Sequence, residues 1–358
     1  MAAVSPWSPD TSQPLKMLAI IQLWDDTLAD PVDNTNKYFF LLLVKLGLDS
    51  VLFITCSHKK YTSFLSVCSL SILLADVLLT CLLAAAWLLG AERSFLSVCF
   101  LLANGSATFG ALPLPMMFLG SLDYYLDDVW ARKHTARWRV LRNVVLTLLV
   151  WLQAAVYAAR SVSTELVELA SAFGPKALVC EVQESSLVTT FILGLFLVSL
   201  FALLPFFSSI PRWVKEAETM YEAREKQRGE TSDLFLAAPQ RRETEASGEK
   251  YAESDRPPLW LSLTLSFLVF WMPYLGVSVA CLICGFLVPA YVSVNLLWLE
   301  CTNSFLAGVT FWMKSKTRGP HSNLPESVCL WKIYWHLSQG RQLSQLPAAT
   351  FDKRSFLV

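Results

Sequence analysis

The chain has 358 residues, of which 54% are hydrophobic and only 16% charged. That much apolar surface exceeds what one soluble core can bury, which makes lipid the expected solvent. Lysine plus arginine balance aspartate plus glutamate at 29 each, so there is no basic excess to neutralise phosphates, and nucleic-acid binding drops out as a function class.

Residues 1–37 contain one short apolar patch, Met17 to Trp24, followed directly by Asp25 and Asp26. This segment lacks the basic start, long apolar middle and small-residue cleavage site of a signal peptide. The first span is therefore expected to act as the membrane signal and to leave an extracellular amino-terminal tail. Runs long enough to cross a bilayer, about 20 residues each, follow at 38–56, 64–89, 95–122, 143–160, 186–210, 259–284 and 289–313. The expected class is an all-α membrane protein, a seven-transmembrane helix bundle over residues 38–313 that includes the charged joint 211–258. An odd number of spans puts the termini on opposite sides, so residues 314–358 form a cytoplasmic tail.

Orientation follows from lysine and arginine, which mark cytoplasmic joints. His58-Lys59-Lys60, then Arg132, Lys133, Arg137, Arg139 and Arg142, then the long third joint, and finally Lys314, Lys316 and Arg318 fall on one side. Within that third joint, Trp213 to Arg228 mixes Glu with Lys and Arg at helical spacing, so the fifth helix is expected to extend into the cytosol. Gly229 to Asp255 reads as a polar, mobile linker, with a partner-binding surface as the alternative for this joint. The sequon at Asn104 lies inside an apolar run, where glycosylation is not expected.

Nine cysteines are scattered mostly through apolar runs, where a thiol acts as a small buried hydrophobe. Cys99 and Cys180 differ. Cys99 opens the third span, and Asp123 follows twenty-four residues later, roughly 36 Å along a helix, a full bilayer crossing. Cys180 lies in the outer joint before the fifth span, where an oxidising compartment permits a bridge to Cys99; two unpaired thiols are the alternative.

This ruler resembles the third helix of rhodopsin-class G-protein-coupled receptors, and further motifs agree. Leu74-Ala75-Asp76 is similar to that family's second-span acid motif, Trp151 stands at its fourth-span tryptophan, Trp271-Met272-Pro273 at its sixth-span Trp-x-Pro, and Asn303-Ser304 at the opening of its seventh-span motif. The match covers the membrane domain but not clearly the tails. Departures are equally specific. The family's Asp-Arg-Tyr reads Asp123-Tyr124-Tyr125, its Asn-Pro-x-x-Tyr segment reads Ala307-Gly308-Val309-Thr310-Phe311, and Asp49 replaces a first-span asparagine.

The resemblance implies a plasma-membrane receptor fold that senses an extracellular ligand, swings its sixth helix about Trp271 and Pro273, and engages a heterotrimeric G protein or arrestin. It implies no cofactor and no catalysis, and no metal cluster or nucleophile with an identifiable base is present to argue otherwise. In that family the switch arginine pairs with the neighbouring acid and then with the G protein, which Tyr124 cannot do. Glu253 lies near the family's opposing lock acid but has no arginine to hold, and Pro257-Pro258 interrupts the helix between it and the sixth span. A receptor-shaped scaffold, scavenger or trafficking protein without G-protein coupling is the alternative. A proton-coupled transporter is disfavoured because neither repeats nor paired broken helices are evident.

Ionisable groups within lipid face the bundle interior, which directs attention to Lys45, Asp49, Asp76 and Glu300. Lys45 and Asp49 share a helix face and are expected to pair, within a polar network of Lys45, Asp49, Asp76, Asn303 and Ser304 in which one carboxyl is protonated. The family's sodium site is not expected, because Pro113 and Ala307 stand at two of its ligand positions. An outer ligand pocket is expected from Ser106, Ala107, Gly110, Tyr274, Ser278, Leu297, Glu300 and Cys301. Ser106 occupies the place of the amine receptors' counter-ion, which disfavours a biogenic amine. Past the seventh span, Gly319-Pro320 is expected to stop the helix, and the aromatic run Trp331 to Trp335 to lie on the inner leaflet next to a palmitoylated Cys329, an exposed or loosely packed tail being the alternative.

Overall fold

A computed structural model describes residues 17–24, 32–56, 63–89, 97–131, 136–162, 167–170, 176–233, 257–318, 329 and 331–339. The His58-Lys59-Lys60 cluster, Arg132, Lys133, Glu253 and Gly319-Pro320 lie outside these residues.

Strands β1 (Met17–Trp24) and β2 (Val32–Asp33) come first, then α1 (Thr35–Cys56), α2 (Phe64–Leu89), α3 (Val98–Ala111), α4 (Pro113–Ala131) and α5 (Ala136–Ser161). Strands β3 (Val167–Ala170) and β4 (Lys176–Val182) follow. The chain then runs through α6 (Ser186–Leu203), a single 3-10 turn (Leu204–Phe206), α7 (Ile210–Asp233), α8 (Leu259–Ile283), α9 (Ala290–Ser293), α10 (Leu296–Arg318) and α11 (Trp331–Gln339).

Among the described residues six helical segments are long and apolar enough to cross a membrane. The seventh, α10, has 23 residues and is the polar member of the set, because Glu300 and Asn303 interrupt its apolar run. Apolar side chains coat the outside of these helices: Leu88 is 76% exposed and Ile283 81%, while Lys45, Asp49, Asp76, Ser106, Asn143 and Thr147 are buried. That inverted arrangement suits lipid and would be insoluble in water. The chain is a helical membrane protein with its polar groups inside.

Three of the expected spans are interrupted, two of them at prolines. The third divides at Leu112, where Pro113 and Pro115 withhold backbone donors and Leu112 N–H turns instead to the Phe109 carbonyl at 3.3 Å. The fifth divides at Pro205, so its expected extension is a separate helix, α7, which continues through Gly229 to Asp233 where a mobile linker was expected. The seventh begins as the one-turn α9 after Pro289 and restarts at Leu296. Gly285 takes φ +74° in the turn that leaves α8, a backbone conformation that glycine adopts without steric cost.

The described residues group into two compact units. The first comprises residues 1–192 with 278–303. Its helices pack through Leu42, Phe64, Leu65, Ile72, Leu102, Met116, Tyr291 and Trp298, all essentially inaccessible to solvent. Trp151 joins α5 to its neighbours, meeting Phe109 edge to face at 5.7 Å and donating to Ser71 Oγ at 3.0 Å. This unit also carries a four-stranded antiparallel sheet of order β2-β1-β4-β3. The patch Met17 to Trp24, too short to span a membrane, is thus a strand whose Ala19 lies opposite Cys180. Cys180 is bonded to Cys99 in the first turn of α3, with Cα atoms 5.6 Å apart, and this disulfide ties the sheet to the helices.

The second unit comprises residues 193–277 with 304–358. Its core includes Leu261, Leu265 and Leu275 of α8, Phe311 of α10 and Trp213 of α7, with Phe267 meeting Phe305 edge to face at 6.2 Å.

Candidate functional site

Three polar clusters carry the expected chemistry, and the sequence-predicted residues distribute among them differently from expectation. The first lies in the first unit, where α1, α2 and the start of α10 meet. Lys45 Nζ donates to Asp76 Oδ1 at 2.5 Å and to the Tyr291 carbonyl at 2.7 Å, and sits 4.6 Å over the Phe109 ring. Asp49 Oδ1 accepts the Leu296 N–H at 3.2 Å, capping α10 inside the bundle. Lys45 acts on Asp49 electrostatically, but its direct bond is to Asp76. The Asp49 and Asp76 carboxyls are within hydrogen-bonding reach of each other. Asp49 Oδ2 and Asp76 Oδ2 have no donor among the described residues.

The expected five-residue network is therefore smaller. Asn303 does not join it, because α10 starts at Leu296 beside Asp49 and Asn303 lies two turns further on, roughly 10 Å along the axis. Ser304 is buried but belongs to the second unit.

The second cluster lies at the far end of α4. Arg142 Nη2 donates to Asp123 Oδ1 at 2.5 Å, and Asp123 Oδ2 accepts the Phe64 N–H at 2.9 Å. An arginine from α5 thus supplies the charge that Tyr124 lacks, while the same carboxylate caps α2. Asn143 Oδ1 holds the other side of the guanidinium, at 3.0 Å from Nε and 2.7 Å from Nη2. Tyr124 points elsewhere: its hydroxyl donates to Asn303 Oδ1 at 2.5 Å. Asn303 Nδ2 reaches Glu300 Oε2 at 3.4 Å, and Ser69 Oγ donates to Glu300 Oε1 at 3.2 Å. Tyr124, Asn303, Glu300 and Ser69 form one chain of hydrogen bonds across α4, α10 and α2. Tyr125 is 67% exposed and takes no part. Glu300, expected in the outer pocket, belongs to this chain instead, because the restart of α10 rotates it toward Ser69.

Arg142 and Ser69 were missed from sequence. The available signal for Arg142 was its position just before the fourth apolar run, one step inside the boundary where solvated arginines sit. Arg142→Met is expected to leave the Asp123 carboxylate half-buried without its cation and to lower stability by about 2 kcal/mol, read as a drop in thermal midpoint in detergent that Asp123→Asn in the same chain partly restores.

The third cluster is the expected outer pocket. Ser106 and Ala107 are fully buried. Ser106 Oγ accepts the Gln183 N–H at 3.0 Å, and Gly110 lies against Ala290 and the Glu184 carbonyl. Ala290 N–H in turn bonds the Gln183 carbonyl at 2.9 Å. The segment after β4 thus covers the face of α3 that was expected to line an open cavity. Cys301 is buried in the first unit, with Leu297 and Ser278 partly exposed there. In the second unit, Trp271 meets Tyr274 edge to face at 6.3 Å, and its indole N–H has no acceptor among the described residues. Pro273 sits inside α8 without ending it.

No family model matches the chain. It is 25% identical over 286 residues to the Rattus norvegicus protein named "Probable G-protein coupled receptor 160", an alignment covering 76% of this chain and 79% of that protein. It is 27% identical over 225 residues to the Mus musculus protein of the same name, covering 63% and 62% respectively, less than two thirds of either chain. With its apolar-coated helices, buried polar clusters and sheet-bearing disulfide, the chain is a multi-pass helical membrane protein related to these receptor-like proteins.

Proposed function

We propose that the chain is a plasma-membrane receptor of the rhodopsin-like kind, with its amino terminus outside, that senses an extracellular ligand and signals to a heterotrimeric G protein or arrestin through movement of α8. The observation that carries this reading is the double lock at the end of α4, where Asp123 is held by Arg142 and Tyr124 by Asn303. A two-state element needs contacts that exist in one state and break in the other. Neutral and charge-assisted bonds between separate helices, placed one bilayer crossing from the Cys99–Cys180 bridge, are contacts of that kind. The basic joints on the Asp123 side and the disulfide on the other support the orientation. The covered face of Ser106, which offers no carboxylate, supports a ligand other than a biogenic amine.

Tyr124→Phe removes one donor from the chain to Asn303. A bond worth about 1 kcal/mol corresponds to roughly a fivefold shift in a two-state equilibrium, so basal recruitment of engineered minimal G proteins in cells is expected to rise by about that factor. Tyr124→Arg restores the residue that makes charged contacts with a G protein and is expected to raise recruitment further. If wild type and both variants, all present at the cell surface, recruit no G protein or arrestin, the signalling reading fails and the receptor-shaped scaffold takes its place.

A further inference from the structure

The aromatic run after the seventh span does not lie on an outer surface. In α11, Trp331, Ile333, Tyr334, Trp335 and Leu337 are all buried, and Cys329 just before it is completely inaccessible. At 100° per residue those five side chains cover about 200° of the helix circumference, which a flat surface cannot enclose and a groove can. The groove belongs to the second unit. Trp335 meets Phe311 of α10 edge to face at 5.5 Å. Trp331 lies over Gly308, so close that a Cβ at that position would come within 2.7 Å of the indole ring. Ser266 Oγ of α8 donates to the Cys329 carbonyl. The third wall is α7, and burial, with the Glu218 carboxylate of α7 nearby, pushes the Tyr334 phenol up to about 12. The expected palmitoylated, membrane-lying segment is thereby corrected: its thiol is enclosed by protein and its aromatic face is already covered.

Two features mark the seat as imperfect. The indole N–H groups of Trp331 and Trp335 are buried without an acceptor among the described residues, and each unsatisfied donor weakens the docking. The helix itself has nine residues, too few to be stable without the groove.

We infer that the groove formed by α7, α8 and the Gly308–Phe311 turn of α10 is a docking site for an amphipathic helix of a cytosolic protein, and that α11 occupies it as a displaceable internal competitor. The partner chemistry follows from the occupant: two bulky aromatic or aliphatic anchors one turn apart, as in helix-in-groove recognition. That the partner is a cytosolic signalling protein rests on the receptor reading above; that α11 fills a helix-binding groove does not.

The test uses the full chain in lipid nanodiscs and a fluorescent peptide spanning residues 327–343. Wild type, with the groove filled, is expected to bind the peptide at least tenfold more weakly than the Trp331→Ala/Trp335→Ala variant, whose groove is vacated. A peptide carrying the same two alanines is expected not to bind. Gly308→Leu fills the indole seat and is expected to refuse the peptide although α11 is expelled. Equal binding to wild type and the double variant, or none to a double variant that retains the wild-type thermal transition, overturns the inference. Should the double variant misfold, hydrogen exchange on wild type decides: residues 331–339 protected at rest and deprotected by excess peptide support the inference, and exchange unchanged by the peptide overturns it. Minimal G-protein recruitment by the same double variant separates the two readings, since peptide binding without any recruitment sinks the signalling assignment and leaves the groove standing.

Discussion

Replacing Lys45 with methionine is expected to destabilise the protein by about 3–5 kcal/mol, the cost of removing one partner from a buried ion pair. The ammonium is 5% exposed and the Asp76 and Asp49 side chains 1% each. Lys45 makes two hydrogen bonds, one to Asp76 and one to the Tyr291 carbonyl, and the ring of Phe109 lies beneath it. Without it, two carboxyls within reach of each other face a low-dielectric interior in which, among the described residues, Leu296 supplies a backbone donor. The loss is expected as a lower thermal midpoint in detergent and reduced surface expression. Lys45→Met/Asp76→Leu removes both partners and is expected to recover much of the deficit, so the double-mutant cycle should return a coupling of several kcal/mol. A coupling near zero would mean that Lys45 acts through packing of its aliphatic stem. Asp76→Asn distinguishes structure from signalling: loss of expression assigns the cluster to folding, whereas normal expression with altered G-protein recruitment assigns it to the switch.

Removal of the Cys99–Cys180 bridge, by Cys99→Ala/Cys180→Ala or by reductant, is expected to cost about 4 kcal/mol in the chain-entropy model for a loop of this length; the sequence separation is 81 residues. The effect should be concentrated in one place. Cys180 sits in β4 opposite Ala19 of β1, one residue past Val179, which pairs with Val167 of β3, so the sheet is linked to α3 covalently at that point. Beyond it, the Gln183 N–H to Ser106 bond and the Ala290 N–H to Gln183 bond continue the attachment. Hydrogen exchange in the reduced protein is therefore expected to rise first at residues 17–24 and 176–182, with the amide of Leu296, held by Asp49, changing least. Uniform deprotection across α1, α2 and α10 would show that the bridge supports the whole unit.

Much of the fold was legible because lipid imposes a local requirement. A helix must present about 20 apolar residues to cross, and that count can be made without knowing any neighbour; α2 at Phe64–Leu89 and α8 at Leu259–Ile283 match the expected runs within one residue. The ruler from Cys99 to Asp123 was legible for the same reason, since one apolar span carries both, although Leu112 divides that span into α3 and α4. The breaks at Leu112 and Pro205 were written in Pro113, Pro115 and Pro205, but an apolar run reads the same whether or not its helix is continuous. The short patch Met17 to Trp24 could not be read as a strand, because its partner β4 lies more than 150 residues away.

Which polar groups matter was also legible, and who holds whom was not. Position alone marked Lys45, Asp49, Asp76 and Glu300, because an ionisable group inside an apolar run has no inexpensive reason to be there, while the resemblance to receptor motifs marked Asp123, Tyr124 and Asn303. Their pairing depends on how each helix is rotated and where each one starts, a property of several helices at once. The restart of α10 at Leu296 gives Asp49 to a helix terminus and sends Glu300 and Asn303 to Ser69 and Tyr124. The first turns of α5 bring Arg142 to Asp123. The sequence by itself determined that this is a helical membrane protein with buried charge and no arginine at position 124; the tertiary structure alone decided that Arg142 holds Asp123 and that the chain's own aromatic helix sits in a groove, since both follow from distances between segments that hydrophobic periodicity does not encode.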